Sequence, residues 1–335
     1  MTPAVSVVLP CRDAASTVER AVESLRAQTF TDFEVLAIDD RSTDGTGDVL
    51  RRLAEREPRI RVLETSADAC GLVHALNLGL AHSRAPVLAR MDADDESLPR
   101  RFEASVEALR DRRLTGVGTG VDICRDDRPP SPNLMRYGAW LSSLTTPEKL
   151  FNDRFVESPL CHPSVMLRTE ALRSIGGWRD AGVPEDWELW LRLLESGHRL
   201  TCLPEVLHRW YDADVRLTRT HPRYRPEAHL TLKADTLAKR FEGTSVSLWG
   251  AGDIGVGLAR ALAARGISVT RLIDLNPRKI GQRIHGARVV LPEDLGPPGG
   301  EHLLSAVGAK GARAEIRAYL ESRGWSEGLH FTCVA

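Results

Sequence analysis

Four short apolar runs, at residues 5–9, 33–38, 60–63 and 87–91, alternate with stretches of helical period at 16–28, 45–57 and 72–83. Apolar runs of this length read as strands buried on both faces, and strands separated by helices pair in parallel. The alternation therefore predicts an α/β domain whose mostly parallel sheet is covered by helices on both faces. In the first helix Val18, Ala21, Val22 and Leu25 share a stripe. Ser16 or Thr17 is the expected N-cap, with Glu19 completing a capping box on Ser16. At 335 residues, 42 % of them apolar, the chain has room for two domains and a core that needs no disulfides.

Acidic residues stand where these runs end: Asp13 after the first, Asp39 and Asp40 after the second, Asp92, Asp94 and Asp95 after the fourth. Ligands of open parallel sheets bind beyond the carboxyl ends of the strands, so the acids converge on the expected site. Asp92-x-Asp94 supplies the one or two carboxylates with which Mg²⁺ or Mn²⁺ is held beside phosphate oxygens, and such an ion eases departure of a diphosphate. A solvated acidic turn is the alternative. A second acidic pair, Glu185-Asp186, opens a helix at 184–196 whose Trp187, Trp190, Leu191 and Leu194 form an apolar stripe. From position alone Asp186 is either a general base or an acid placed favourably on the helix dipole.

The remainder narrows the classes. Formal net charge is −1, so no basic field exists to hold nucleic acid. No window of about 18 uninterrupted apolar residues occurs, hence no membrane-spanning helix is expected, and the first residues do not read as a signal peptide. Six cysteines, at 11, 70, 124, 161, 202 and 333, show no metal-ligand spacing and read as free buried thiols in a reducing, cytoplasmic setting. Residues 126–135 read as a loop and 137–155 as helical with a break at Thr146-Pro147. Residues 218–243 read as a connecting segment that ends in a helix.

At residue 244 the pattern restarts, with a strand at 245–249, a helix at 254–265 and a strand at 268–273. Gly250, Gly252 and Gly255 form G-x-G-x-x-G between strand and helix, and Asp274 ends the next strand. That is the context of a dinucleotide fingerprint, in which the acid takes a ribose hydroxyl. NAD(P) or another nucleotide is the ligand this fingerprint suggests. The chain is thus read as domains at 1–222 and 244–335, joined by 223–243.

Five segments, VSVVLPCRDA at 5–14, DFEVLAIDDRSTDGT at 32–46, GLVHALNLGLAHSRAPVLARMDADD at 71–95, CHPSVMLR at 161–168 and GGWRD with PEDWELWLRL within 176–193, resemble those of family 2 glycosyltransferases of the GT-A fold, in order. The resemblance implies an inverting transfer from a nucleoside-diphosphate sugar, most often a uridine one, to a glycan or lipid-linked acceptor in surface polysaccharide synthesis. A lipid-linked acceptor would bring peripheral contact with the inner face of the membrane. The resemblance also implies roles. Pro10 and Asp13 match the donor-contacting turn, Asp40 the acid that bonds the base, Asp92 the acid near ribose and diphosphate, Asp94 the metal ligand, and Asp186 the general base. Trp178 matches the acceptor side, where Glu185 and His162 are further candidates. Arg216 and Arg219 stand where the family's diphosphate-facing residues are expected. Asparagine is frequent where this chain has Asp13, so Asp13 either contacts donor or shapes its turn. His162 is a ligand contact or a buried structural histidine. The C-terminal segments resemble an NAD(P)-binding-like module appended to some sugar acyltransferases and methyltransferases. An oxidoreductase or epimerase working through that fingerprint, and a non-catalytic nucleotide-sugar sensor, are the competing functions.

Overall fold

The structure, a computed structural model, describes residues 2–214 and 216–335. By their contacts these residues form two compact units. The first comprises Met1–Leu150, Pro159–Ala181 and Glu188–Arg219; the second comprises Phe151–Ser158, Gly182–Trp187 and Thr220–Ala335.

The chain begins β1 (Val5–Cys11), α1 (Val18–Arg26), β2 (Phe33–Asp39), α2 (Thr46–Arg56), β3 (Ile60–Glu64), α3 (Leu72–His82), β4 (Val87–Arg90) and β5 (Glu96–Ser97). It continues with α4 (Arg101–Ala108), β6 (Gly116–Cys124), α5 (Pro132–Ser143), α6 (Pro147–Asp153), β7 (Met166–Arg168) and α7 (Thr169–Ser174). Then follow α8 (Glu185–Glu195), β8 (Leu200–Tyr211) and α9 (Leu217–Thr220). The sheet of the first unit runs β3-β2-β1-β4-β7-β6-β8-β5. β1 pairs in parallel with both β2 and β4, β2 with β3, and β6 with β8; β7 is antiparallel to β4 and β6, and β5 to β8. The mostly parallel α/β sheet expected from the alternation is present. Val18, Ala21, Val22 and Leu25 of α1 bury their stripe against Val7, Leu9 and Val35 of the sheet, and each of the valine and leucine side chains contributes roughly 1.5–3 kcal/mol.

Some local expectations fail. Thr17 is the N-cap of α1 and makes no side-chain cap bond, so the capping box drawn between Ser16 and Glu19 does not form. The fourth apolar run ends its strand at Arg90, one residue early, because Met91 already turns into the acidic segment. The loop read at 126–135 is cut short. Ser131 accepts a hydrogen bond from the Leu134 amide, and Pro132 occupies the first helical turn of α5, which favours helix initiation. Cys70 is exposed and Cys124 half-exposed, so only the other four thiols match the buried reading.

In the second unit α10 (Pro226–Arg240) precedes β9 (Ser245–Trp249), α11 (Asp253–Ala263), β10 (Ser268–Ile273), β11 (Arg283–Ile284), β12 (Ala287–Val290), β13 (His302–Ser305), α12 (Ala312–Glu321) and β14 (Phe331–Cys333). Their sheet order is β11-β12-β10-β9-β13-β14, parallel except for β11. Segments 151–158 and 182–187 are tied into this unit by polar contacts. Arg317 pairs with Asp153, the Trp187 indole donates to the Arg154 carbonyl at 2.8 Å, and Lys233 Nζ donates to the carbonyls of Val156 and Val334 at 3.2 and 2.9 Å.

His302, on β13, lies 4.7 Å from the Phe241 ring, and burial pushes its pKa down to about 4. The unfolded chain takes up that proton near the ordinary value of about 6.5. Its contribution is therefore complete above pH ~6.5 and declines as pH falls toward 4. Thermal melts at pH 7 and pH 5 will show a smaller pH-dependent loss for His302→Gln than for the parent chain; equal losses would remove His302 from the account.

Candidate active site

The carboxyl edge of the first sheet gathers acids from three adjacent strands. Strand order β2-β1-β4 sets the ends of β2 and β4 two inter-strand spacings apart, about 10 Å. Asp39 and Asp40 leave β2, and residues 91–95 leave β4. Cys11, at the end of β1 between them, feels both sides. Its thiol pKa is pushed up first by burial, then by Asp39 and by Asp92, against a lowering from Arg90.

Asp92, Asp94 and Asp95 each present a carboxylate oxygen within 4.8 Å of the others. Arg90, itself buried, pairs with Asp92, and Arg216 Nη2 lies 3.7 Å from Asp92 Oδ2. Burial opposes ionisation of Asp92, yet Arg90 and Arg216 outweigh it and hold its carboxyl below the usual range. Asp95 is fixed by the Tyr211 amide at 2.9 Å and lies 3.0 Å from His208 Nε2. Asp94 is anchored through its backbone, its carbonyl accepting from Arg20 Nη2 at 2.8 Å. Burial, then Asp92 and Asp95, push the Asp94 carboxyl up to about 7. Asp95 is pushed up to about 7 by burial, against Arg216. Three carboxylates this close repel one another unless a cation joins them. An all-oxygen donor set suits a hard divalent ion, Mg²⁺ or Mn²⁺, rather than zinc; Asp94 and Asp92 would hold it, with Asp95 as their buried support.

The other predicted residues of this unit fall into three groups. Asp40 is buried and accepts from Thr65 Oγ1 at 2.8 Å and from the Gly71 amide at 2.8 Å, with Arg12 at 3.5 Å. Pro10 lies buried within β1. Asp13 adopts φ 49°, a left-handed conformation that Asn and Asp tolerate better than most residues. Its carboxylate accepts from the Thr43 amide at 2.8 Å, so it shapes the turn. Arg216 stands with the acids, and its guanidinium lies 4.7 Å over the Trp210 ring. Arg219 does not join them: it pairs with Asp212 and Asp214 at 2.5 and 2.8 Å, which neutralise it.

Trp178 corrects the acceptor-side expectation, and of the two alternatives for His162 the structure matches the buried one. Trp178 is only 3 % exposed, and its indole N–H donates to His162 Nε2 at 3.1 Å. His162 is buried against the Trp190 ring at 5.8 Å. Both are wall residues, and neither offers an open face to a sugar. Trp140 and Trp210, whose place the sequence leaves undecided, belong to an aromatic group with Tyr137, and Trp210 lies under Arg216. Tyr137 and Trp140 stack at 5.7 Å, and Tyr137 meets Trp210 at 6.3 Å.

Glu185 and Asp186 belong to the second unit's residues. Glu185 is buried and accepts from Tyr224 at 2.6 Å, with Arg223 Nη1 at 3.6 Å. It is enclosed rather than presented to an acceptor. Asp186 accepts from Ser158 Oγ at 2.8 Å.

In the C-terminal fingerprint, the Asp274 carboxylate accepts from the amides of Ala251 and Asn276 at 2.9 and 2.8 Å. Gly250 and Gly252 with Asp274 line a cavity of about 610 Å³; Gly255 lies in the first turn of α11.

The sequence profile of Glycosyl transferase family 2 matches residues 6–176, more than half of the chain, Asp40, Asp92 and Asp94 included. The chain belongs to this family. The glycosyltransferase is 30 % identical to EpsE of Bacillus subtilis (strain 168) over 221 residues, spanning 62 % of the chain and 72 % of EpsE. It is 30 % identical to the amylovoran biosynthesis glycosyltransferase AmsE of Erwinia amylovora over 198 residues, spanning 58 % of the chain and 71 % of AmsE. Among solved structures, S. aureus TarS 1–349 in complex with UDP-GlcNAc superposes with a TM-score of 0.56 at 14 % identity, over 78 % of this chain and 72 % of that one. The mannosyltransferase PcManGT of Pyrobaculum calidifontis, in complex with GDP-Man and Mn²⁺, gives 0.51 at 21 % identity over 72 % and 64 %. These likenesses establish a GT-A-like α/β fold. No helix among the described residues is long and apolar enough to cross a membrane.

The sequence names Asp92, Asp94 and Arg216 but misses the other supports of the acidic group. Arg90 is signalled only by a charge inside an apolar strand. Tyr211 and His208 reach Asp95 from more than a hundred residues away, and Ser158 reaches Asp186 from 28 residues away; no local pattern reports such pairs.

Proposed function

We propose that this glycosyltransferase moves a sugar, with inversion, from a UDP-sugar to a glycan or lipid-linked acceptor in polysaccharide synthesis. The observation that carries the reading is the group of three carboxylates at the end of β4, two strands from Asp40. That spacing suits a nucleoside diphosphate laid along the sheet edge, with the base toward Asp40 and the diphosphate toward Asp92 and Arg216. The polysaccharide setting is supported by AmsE, and the uridine donor by the UDP-GlcNAc complex of TarS.

In this reading Asp94 and Asp92 hold Mg²⁺ or Mn²⁺, which when bound offsets charge on the departing diphosphate. Arg216 lends a fixed positive charge beside Asp92. Asp186 takes the proton from the acceptor hydroxyl as its oxygen joins the anomeric carbon. Tyr137, Trp140 and Trp210 provide the acceptor-side aromatic surface in place of Trp178, because Arg216 links Trp210 to Asp92 and aromatic faces stack on sugar rings. Trp140→Ala will raise the acceptor KM by about tenfold, the size of one lost aromatic contact, and leave donor hydrolysis unchanged. An unchanged acceptor KM would remove the aromatic group from the site.

We assign residues 1–222 to the transferase domain, 223–243 to a connecting segment and 244–335 to a Rossmann-like domain. The six free cysteines favour a reducing, cytoplasmic setting. The test of the donor is a thermal-shift panel of UDP-, GDP- and dTDP-sugars with Mn²⁺, since a ligand that binds the folded state raises Tm by mass action. A shift with a UDP-sugar that EDTA diminishes, and whose EDTA-sensitive part is missing in Asp94→Asn, is the expected result. No shift with any UDP-sugar would overturn the donor assignment.

A further inference from the structure

We propose that the cavity at the carboxyl edge of the second sheet is a metal-independent binding site for a nucleoside diphosphate with an unmodified ribose. It is separate from the donor site of the first sheet. From β9 the chain builds β10 and β12 on one side, then returns to place β13 and β14 on the other. The crevice where strand order reverses is where open α/β sheets take ligands, and the cavity of about 610 Å³ lies there, lined by Gly250 after β9 and Ala306 after β13.

The three glycines divide by cause. A Cβ on Gly255 would sit 1.8 Å from the Gly250 carbonyl oxygen, and one on Gly250, at φ 121°, would sit 2.8 Å from the Ala306 carbonyl oxygen. Packing requires both. Gly252 is different: its φ of −88° suits any residue, and a Cβ there would meet nothing within 4 Å. The fold does not need that glycine. The open space it leaves stands over the N-terminus of the eleven-residue α11, where backbone amides favour a phosphate. Lys279 adds a positive charge at the same turn, its Nζ donating to the Ala251 carbonyl at 2.7 Å and lying 3.5 Å from Asp274.

Two further features define the ligand. Leu275 is 72 % exposed and Ile254 is 51 % exposed, and both line the cavity. Exposed apolar side chains on the rim of a cavity mark a surface that an apolar face covers, and a nucleobase has such a face. Asp274, adjoining Leu275, is held in place by two backbone amides and can accept from ribose hydroxyls. Asp253, Glu293 and Glu315 join Asp274 in the lining, so four carboxylates face one lysine. The terminus of α11 is the feature that would meet a diphosphate, whereas a second anionic group on the ribose would lie beside Asp274, whose charge already occupies Lys279.

Calorimetric titration of the full chain in EDTA with UDP, ADP, NAD⁺ and NADP⁺ tests the proposal. EDTA silences the metal-dependent site, and the same titrations of Asp94→Asn identify any residual signal from it. At least one of UDP, ADP and NAD⁺ is expected to bind one-to-one in both proteins. Which of them binds tells a nucleotide or nucleotide-sugar ligand from a dinucleotide. Gly252→Asp, which the open space admits, will weaken that binding by about tenfold or more by setting a carboxylate where the phosphate lies, and Lys279→Ala will weaken it in the same direction. NADP⁺ will bind at least about tenfold more weakly than NAD⁺. Absence of binding in EDTA, or Gly252→Asp and Lys279→Ala both binding as the parent does, overturns the site. NADP⁺ binding as tightly as NAD⁺ overturns the requirement for an unmodified ribose.

Discussion

Asp186→Asn will bind the donor as the parent enzyme does and transfer its sugar about 10²–10⁴-fold more slowly. That range is what a positioned general base supplies. The amide keeps the shape of the carboxylate and the hydrogen bond from Ser158 Oγ, so the fold is expected to persist. A neutral amide cannot take the acceptor proton, so the loss falls on kcat. Ser158→Ala is a milder variant of the same idea. Removing the hydroxyl that orients this carboxylate is expected to cost about 10–100-fold in kcat, the size of one hydrogen bond to a charged group. Transfer by Asp186→Asn at the parent rate would remove Asp186 from the chemistry and reduce its place at the start of α8 to a favourable helix-dipole interaction.

Asp94→Asn will abolish metal-dependent donor binding and lower activity by at least about 100-fold, more than outer-shell partners of metal sites generally cost. Its effect on stability runs the other way. In the absence of metal the Asp94 carboxyl is pushed up to about 7 by burial and by Asp92 and Asp95, which means its negative charge is unwelcome where it stands. Replacing it with an amide removes that repulsion, so the metal-free variant will melt no lower than the parent. A residue kept for the fold would show the opposite pattern, with a lowered Tm and preserved donor binding.

The first half of the site was legible because its chemistry is local. Each parallel strand is a short apolar run, and the acid following it sits at the strand's carboxyl end by construction, so Asp40, Asp92 and Asp94 could be placed from sequence alone. The family profile covers that same stretch. The next strands were hidden by their composition. β6 carries Gly116, Gly118 and Gly120, residues that strands ordinarily avoid. They are there for close packing: a Cβ at Gly116 would lie 2.4 Å from Leu167, and one at Gly120 would lie 2.9 Å from the Glu205 carbonyl oxygen, where the β6–β8 register also shifts. Trp178 misled for a related reason. A tryptophan after two glycines reads the same whether its ring is open to solvent or closed over a histidine. Only the hydrogen bond to His162 distinguishes the two. Arg216 and Arg219 show the limit most plainly, since only two residues separate an arginine beside Asp92 from one consumed by Asp212 and Asp214.

The proposed donor site requires that Asp94 and its neighbours hold a divalent ion together with a diphosphate. Titrating Mn²⁺ into the protein with saturating UDP, followed by the loss of the free Mn²⁺ paramagnetic resonance signal, measures this directly. One ion bound per chain in the parent, and none at the same concentrations in Asp94→Asn, is the predicted result. Equal Mn²⁺ uptake by the two proteins, or UDP bound equally well in EDTA to a site that Gly252→Asp leaves untouched, would contradict it.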